Sequence, residues 1–239
     1  MSMEVEVPAM DDQDGRDAPE RQERRDAREN RERILAVAKH LFVTQGVAAT
    51  TMKDVAEATG VGKGTLYRHF AHKGELCAAL LRDDVVAFQA RVGALIDEEG
   101  VDASPLARLG ILLTERVHMT EQHLPLFAAM EAEAGGPGRA RPFRPPFAAW
   151  MHAHIVRLLG EAVERGESPP VDLEFTADAI EAVVSPQHYR FQRQTSGYSM
   201  ERIIAGMCRL FVDGLRQDPS ALIPFCSRPR AGSGGGDTR

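Results

Sequence analysis

Between Thr50 and Lys73 the chain reads TTMKDVAEATGVGKGTLYRHFAHK, and this stretch limits the possible folds more than any other. Thr51 stands three residues before Asp54, the spacing at which a hydroxyl and a carboxylate each take one unpaired amide at a helix start. Met52, Val55 and Ala56 then recur at three and four, giving one buried face. Gly60 predicts the end of that helix, because glycine takes the left-handed conformation a helix end often needs. Val61 follows as an apolar turn residue. Gly62 can cap the next helix, although Ser or Thr would cap it better. Two short helices joined by a glycine turn result, over residues 51–70.

On a helical wheel of Lys63 to Phe70, Leu66 and Phe70 share one side, the one that must pack. Gly64, Thr65 and Arg68 face the other way, with Tyr67 and His69 on the flanks. Gly64 lets the backbone come close to a partner. Thr65 can bond a phosphate or touch a thymine methyl, and Arg68 can reach a guanine edge. The phenol of Tyr67 and the imidazole of His69 suit phosphate oxygens. Lys53 and Lys73 are placed to bracket a nucleic-acid backbone, and Lys63 opens the helix. An ordinary solvated surface pair is the competing explanation for such a polar face.

The run KGTLYRHF, with ILAVAKHLF upstream and HKGEL downstream, resembles the TetR family of bacterial transcriptional regulators. The likeness is dense over residues 30–81 and only architectural beyond. It implies operator contacts at Thr51, Lys53, Thr65, Tyr67, His69 and Lys73, a homodimer joined through the last two helices, and a pocket for a small effector. The effectors of that family vary too widely to carry one over. Gly62 departs from a frequent Ser and Gly74 from a frequent Glu. The second departure predicts a loosened start of the next helix.

The net charge of −6 argues against a nucleic-acid partner until it is divided along the chain. Residues 1–20 carry seven acids and one arginine, and residues 83–239 carry twenty-one acids and sixteen arginines. Residues 21–82, by contrast, carry twelve Lys/Arg against seven acids, and all four lysines lie there. Local field rather than the sum sets phosphate attraction. In RQERRDARENRER (21–33) acids and bases alternate. Either they pair with one another along a helix, or Arg24, Arg25 or Arg28 reaches DNA.

Cys77, Cys208 and Cys226 have no close spacing and make an odd number, which points to reduced thiols in a cytosol. No apolar run of about eighteen residues suggests a membrane span, and the N-terminus lacks the apolar centre of a signal peptide. A cytoplasmic protein with no membrane partner is expected.

The fold class expected is all-α. A three-helix DNA-binding domain (28–88) is linked by a long helix to a helical effector-binding and dimerisation domain (89–225). Residues 1–27 and 226–239 read as disordered tails. The helices are placed at about 30–45, 51–60, 63–70, 75–98 (through Leu76, Ala79, Leu80 and Val86), 104–121, from Pro125, 147–165, 175–194 with a kink at Pro186, and 200–216. Residues 135–146, GGPGRARPFRPP, read as loop.

For an effector, the large residues of the middle helices are the candidates: Phe127, Met130, Phe147, Trp150, Met151, His154, Tyr189 and Phe191. Their kind suits an apolar or aromatic molecule, although each one singly can be core. His152 and His154 are two apart, and His118 and His123 five apart. Neither spacing is the i, i+4 pair a helical zinc site favours, so no metal and no cofactor is expected. No glycine loop, nucleophile elbow or carboxylate pair suggests an enzyme. A ligand-released repressor on a near-palindromic operator is therefore the leading expectation. The alternatives are an activator or global regulator of the same fold and, behind them, a helical small-molecule-binding enzyme; Lys53, Tyr67, His69 and Lys73 argue against a helical partner-binding protein with a vestigial helix pair.

Overall fold

The computed structural model describes residues 17–97, 104–133 and 145–216. Every regular element among them is helical, with no strand. The tails at 1–16 and 226–239 and most of the glycine–proline loop lie outside the described residues.

Helix α1 spans Asp17–Gln45 and begins well before residue 30. Residues 17–27 are therefore helix rather than tail. The alternating charges extend it: Arg25 Nε meets Glu29 and Arg28 Nε meets Glu32, each at 2.9 Å and each four residues on. Such pairs add only a few tenths of a kcal/mol each, but along an exposed turn little opposes them. Further on, Ile34, Ala38, Leu41 and Phe42 form the buried stripe.

α2 (Met52–Thr59) and α3 (Lys63–His69) follow. The capping box is present: Thr51 Oγ1 accepts from the Asp54 amide at 3.2 Å, and Asp54 Oδ2 accepts from the Thr51 amide at 2.8 Å. Gly60, at φ 70°, closes α2. Thr51→Ala removes the hydroxyl that accepts from the Asp54 amide and leaves only the Asp54 half of the box. It is expected to lower the melting midpoint of this end of the protein by about 4 °C or more, read by circular dichroism.

α4 spans Lys73–Asp97 and runs through both halves of the molecule. Its first turn is not loosened by Gly74, which is buried; a Cβ there would meet the His72 ring at 3.0 Å and Glu133 Cβ at 3.1 Å. Glycine thus permits a close approach to another helix. Leu76 is buried, but Val86 is 58% exposed and gives no cover. The inward residues of the later turns are instead Leu81, Phe88, Val92 and Ile96.

α5 spans Pro105–Glu133, joining two segments that the sequence suggests are separate. The join survives as a break at His123, where the backbone leaves helical values (φ −113°, ψ 16°). Pro125 supplies the cause, since its ring lacks an N–H and crowds the carbonyl four residues back. α6 is Pro146–Glu164. Pro186 ends a helix outright where only a kink is expected: α7 is Leu173–Val183 and α8 is Pro186–Gln194, the latter capped by Ser185. Proline suits a first turn better than an interior. α9 (Met200–Cys208) continues into a π-helical turn at Arg209–Asp213.

Two hydrophobic clusters organise these helices. The smaller joins α1, α2, α3 and the start of α4 around Ile34, Phe42, Val55, Leu66, Phe70 and Leu76. The larger gathers α4 to α9 around Phe88, Leu109, Leu113, Ile155, Leu158 and Ile180. The two are not cleanly divided. Leu126, Ala129 and Met130, after the break in α5, pack against the smaller cluster.

Candidate functional site

α3 turns Leu66 and Phe70 inward, 0% and 2% exposed, and Arg31 of α1 lies over the Phe70 ring at 5.2 Å. That anchoring leaves Lys63, Gly64, Tyr67 and Arg68 exposed and Thr65 half-buried on the outer side. Nothing lies within 4 Å of the position a Gly64 Cβ would take. One short helix therefore presents a small residue, a hydroxyl, a guanidinium, an ammonium and a phenol to solvent on a fixed backing. Thr51 and Lys53 flank them at the start of α2, both exposed. Lys53 Nζ stands 3.5 Å from Glu57, an exposed pair that solvent screens.

Two residues differ from the sequence reading. The Lys73 ammonium donates to the Thr50 carbonyl at 2.7 Å and the Ala48 carbonyl at 3.4 Å. It ties the start of α4 to the loop before α2, and only what remains of its hydrogen-bonding capacity can meet a phosphate. His69 is half-buried with Nε2 enclosed and without a hydrogen-bond partner. Burial, then the nearby Arg68 and Arg31 charges, holds its pKa below the ordinary histidine value. A neutral ring is a poorer phosphate ligand than an imidazolium. Among the α1 arginines, Arg25 and Arg28 are exposed and engaged by Glu29 and Glu32.

The residues proposed for an effector do not form a single group. Phe147 and Trp150 stack at 6.3 Å between centroids, and both meet Phe88 edge-on. His154 lies against Trp150 at 4.1 Å, its Nδ1 2.8 Å from the Trp150 carbonyl. Phe147, Trp150 and the buried Met151 belong to the larger cluster. Tyr189 is core, its hydroxyl 2.7 Å from Glu121 Oε2. Burial, then Glu121, pushes the phenol pKa up, so it stays a donor. Met130 belongs to the smaller cluster, and Phe191 is 54% exposed on α8. These last two do not join the Trp150 group, because α5 breaks away from it and α8 turns its Phe outward.

A cleft of about 180 Å³ opens beside Phe147 and Met151, with Glu181, Val184 and Pro186 across it. Ala148, Ser185 and Arg116 complete the lining, the last a residue the sequence reading passes over. Arg116 is 7% exposed, and the rings of Phe127 and Phe147 lie 5.5 and 5.3 Å from its guanidinium carbon. Burial presses its pKa down to about 10, which leaves the guanidinium charged at neutral pH. Its position on the apolar side of α5, four residues after Leu112 and three before Met119, was the available signal.

His152, Asp178 and Glu181 come together on the outer side of α6 and α7, with Glu174 2.7 Å from His152 Nε2. Carboxylates of α7 thus surround the ring that α6 presents. Burial keeps the Cys77 thiol high, at about 11, and Cys77 and Cys208 are both free. No helix among the described residues is long and apolar enough to cross a membrane.

Residues 34–80 match the family model described as bacterial regulatory proteins, tetR family. The regulator TtgR of Pseudomonas putida is 32% identical over 165 residues, covering 64% of this chain and 75% of that protein. The repressor KstR2 of Mycobacterium tuberculosis is 36% identical over 90 residues, 38% of this chain, and the match spans only 44% of that protein's length. The structure of KstR2 nevertheless superimposes over 79% of this chain and 95% of its own, at a TM-score of 0.53 and 25% identity. The Thermus thermophilus repressor FadR, solved with lauroyl-CoA, covers 86% of this chain and 100% of its own at a TM-score of 0.57. At 21% identity that likeness speaks for the fold.

Proposed function

This chain belongs to the tetR family of bacterial regulatory proteins, and on that premise we propose that it is a cytoplasmic, sequence-specific DNA-binding regulator. As a homodimer it holds a two-fold symmetric operator and releases it when a small effector enters the larger helical domain. The observation that carries the reading is the outer side of α3, where Gly64, Thr65 and Arg68 project from a helix fixed by buried Leu66 and Phe70.

In this reading α3 lies in the major groove. Arg68 and Thr65 read base edges, while Tyr67, Lys63, Lys53 and Thr51 fix the backbone. Lys73 and His69 serve mainly to set the position of α3 and α4. Dimerisation falls to α8, α9 and the π-helical turn that continues α9, where Phe191 and Leu210 are 54% and 65% exposed and Gly206 has open space beside it. Two-fold pairing sets the two α3 helices about 34–36 Å apart, one turn of DNA. The relatives named above are regulators and repressors of transcription, not enzymes. The lauroyl-CoA held by the Thermus protein supports a ligand-bound state of this fold.

The test is a gel shift on the DNA upstream of the protein's own gene at two salt concentrations. Arg68→Ala is expected to weaken binding by about 1–3 kcal/mol and to relax base preference at one position of each half-site. Tyr67→Ala should weaken all sequences alike. Unchanged affinity in both variants would remove α3 from the interface.

A further inference from the structure

We infer that the cleft between α5, α6 and the α7–α8 junction binds a small organic carboxylate, with Arg116 as its anion-recognising residue. The inference rests on the regulator reading above, and it replaces a purely apolar effector with an amphipathic acid.

Arg116 is the reason. Withdrawing a guanidinium from water costs several kcal/mol unless partners compensate. A methionine or leucine in its place would fill the core without that cost. The hydrogen bond described for this side chain runs from Nη1 to the Thr120 hydroxyl, a neutral partner. A guanidinium has five donors in a planar fork, and the fork matches a carboxylate. Phe127 and Phe147 flank the group and hold its plane, as cation–π contacts do. The charge is thus placed beside a cleft rather than against an acid of its own helix. Glu181 of α7 also borders the cleft and its charge acts on Arg116, in part offsetting the effect of burial, while its carboxylate stands 3.4 Å from His152 Nδ1 and is shared with that ring.

Size and lining set the rest of the ligand. A cavity of about 150 Å³ accepts benzene, and this one is about 180 Å³. One ring or a short branched chain fits, together with a carboxylate. Met151, Val184 and Phe147 give the hydrocarbon its apolar walls. The site lies on the same helix as Leu126 and Met130, which touch the DNA-binding end.

The experiment uses the full-length protein and the fluorescence of Trp150, the single tryptophan, whose ring stacks 6.3 Å from Phe147. The probes are benzoate, hexanoate, the neutral benzyl alcohol and the cationic benzylamine. Benzoate or hexanoate should bind saturably, with benzoate at least about tenfold tighter than benzyl alcohol, the share of a charge-assisted hydrogen bond. In Arg116→Met the benzoate affinity should fall by about tenfold or more, with benzyl alcohol little changed. Arg116→Lys should recover part of the loss. If Arg116→Met melts early, the wild-type preference between benzoate and benzyl alcohol decides alone. Equal affinities for those two, a preference for benzylamine, or no binding of either acid overturns the inference. Operator binding is measured on the same wild-type sample without probe. Its absence strikes the regulator reading, whereas its presence beside a failed titration strikes only this one.

Discussion

Leu66→Ala is expected to cost the DNA-binding end about 2–5 kcal/mol, the usual range for a fully buried leucine cut to alanine. Leu66 is 0% exposed at the middle of the smaller cluster, and α3 has no other fully enclosed side chain within its seven residues. A cluster this small holds little reserve, since units of about fifty residues are marginal alone. The loss should therefore separate melting into two steps, with the smaller cluster unfolding first and the larger one near its original temperature. Operator affinity should fall by the fraction of heads left folded. Calorimetry and a gel shift read the two effects together. Val43→Ala is the control, because Val43 is 79% exposed and should change neither. A single unshifted transition would mean that α3 is not held as described.

Gly74→Val is expected to disturb operator binding from a position that touches no DNA. A Cβ at Gly74 comes within 3.1 Å of Glu133 Cβ, and a branched side chain would come closer still. The His72 ring can swing away. The end of α5 must move or the first turn of α4 must, and overpacking of this kind costs about 1–3 kcal/mol. Either movement alters the setting of α3 relative to the rest of the molecule. We expect operator affinity to drop by about tenfold, with the larger cluster still melting normally. Glu133→Gly removes the opposing Cβ and should restore much of the loss in the double variant. Restoration separates a clash from a general weakening of α4, which Glu133→Gly could not repair.

The local features of the DNA-binding end were legible because local chemistry makes them. The capping box of Thr51 and Asp54, the left-handed Gly60, and the shared side of Leu66 and Phe70 each depend on residues a few positions apart. The all-helical architecture was legible for the same reason. What escaped depends on distant neighbours. The tie that Lys73 makes to the Thr50 carbonyl, twenty-three residues earlier and 2.7 Å away, could not be read from its own neighbourhood. Met130 reads as pocket until the break at His123 carries it to the other cluster. Gly74 reads as a weak helix start until Glu133 is found against it. Arg116 escaped because an arginine in a helix is usually read as surface, and only its place on the apolar side of α5 marks it otherwise. The start of α1 at Asp17 escaped because charge pairs of small individual energy decide it.

α5 serves two masters. Its turns before His123 are wedged among α4, α6, α8 and α9, while Leu126, Ala129 and Met130 supply a lid for the cluster that contains α3. The DNA-binding end is consequently moored to the body along a greasy seam, and it cannot swing freely about α4 without wetting those side chains. Its excursions must be ones that slide along that seam or bend at His123. In the two-fold pair proposed above, such a constraint would narrow the spacings open to the two α3 helices.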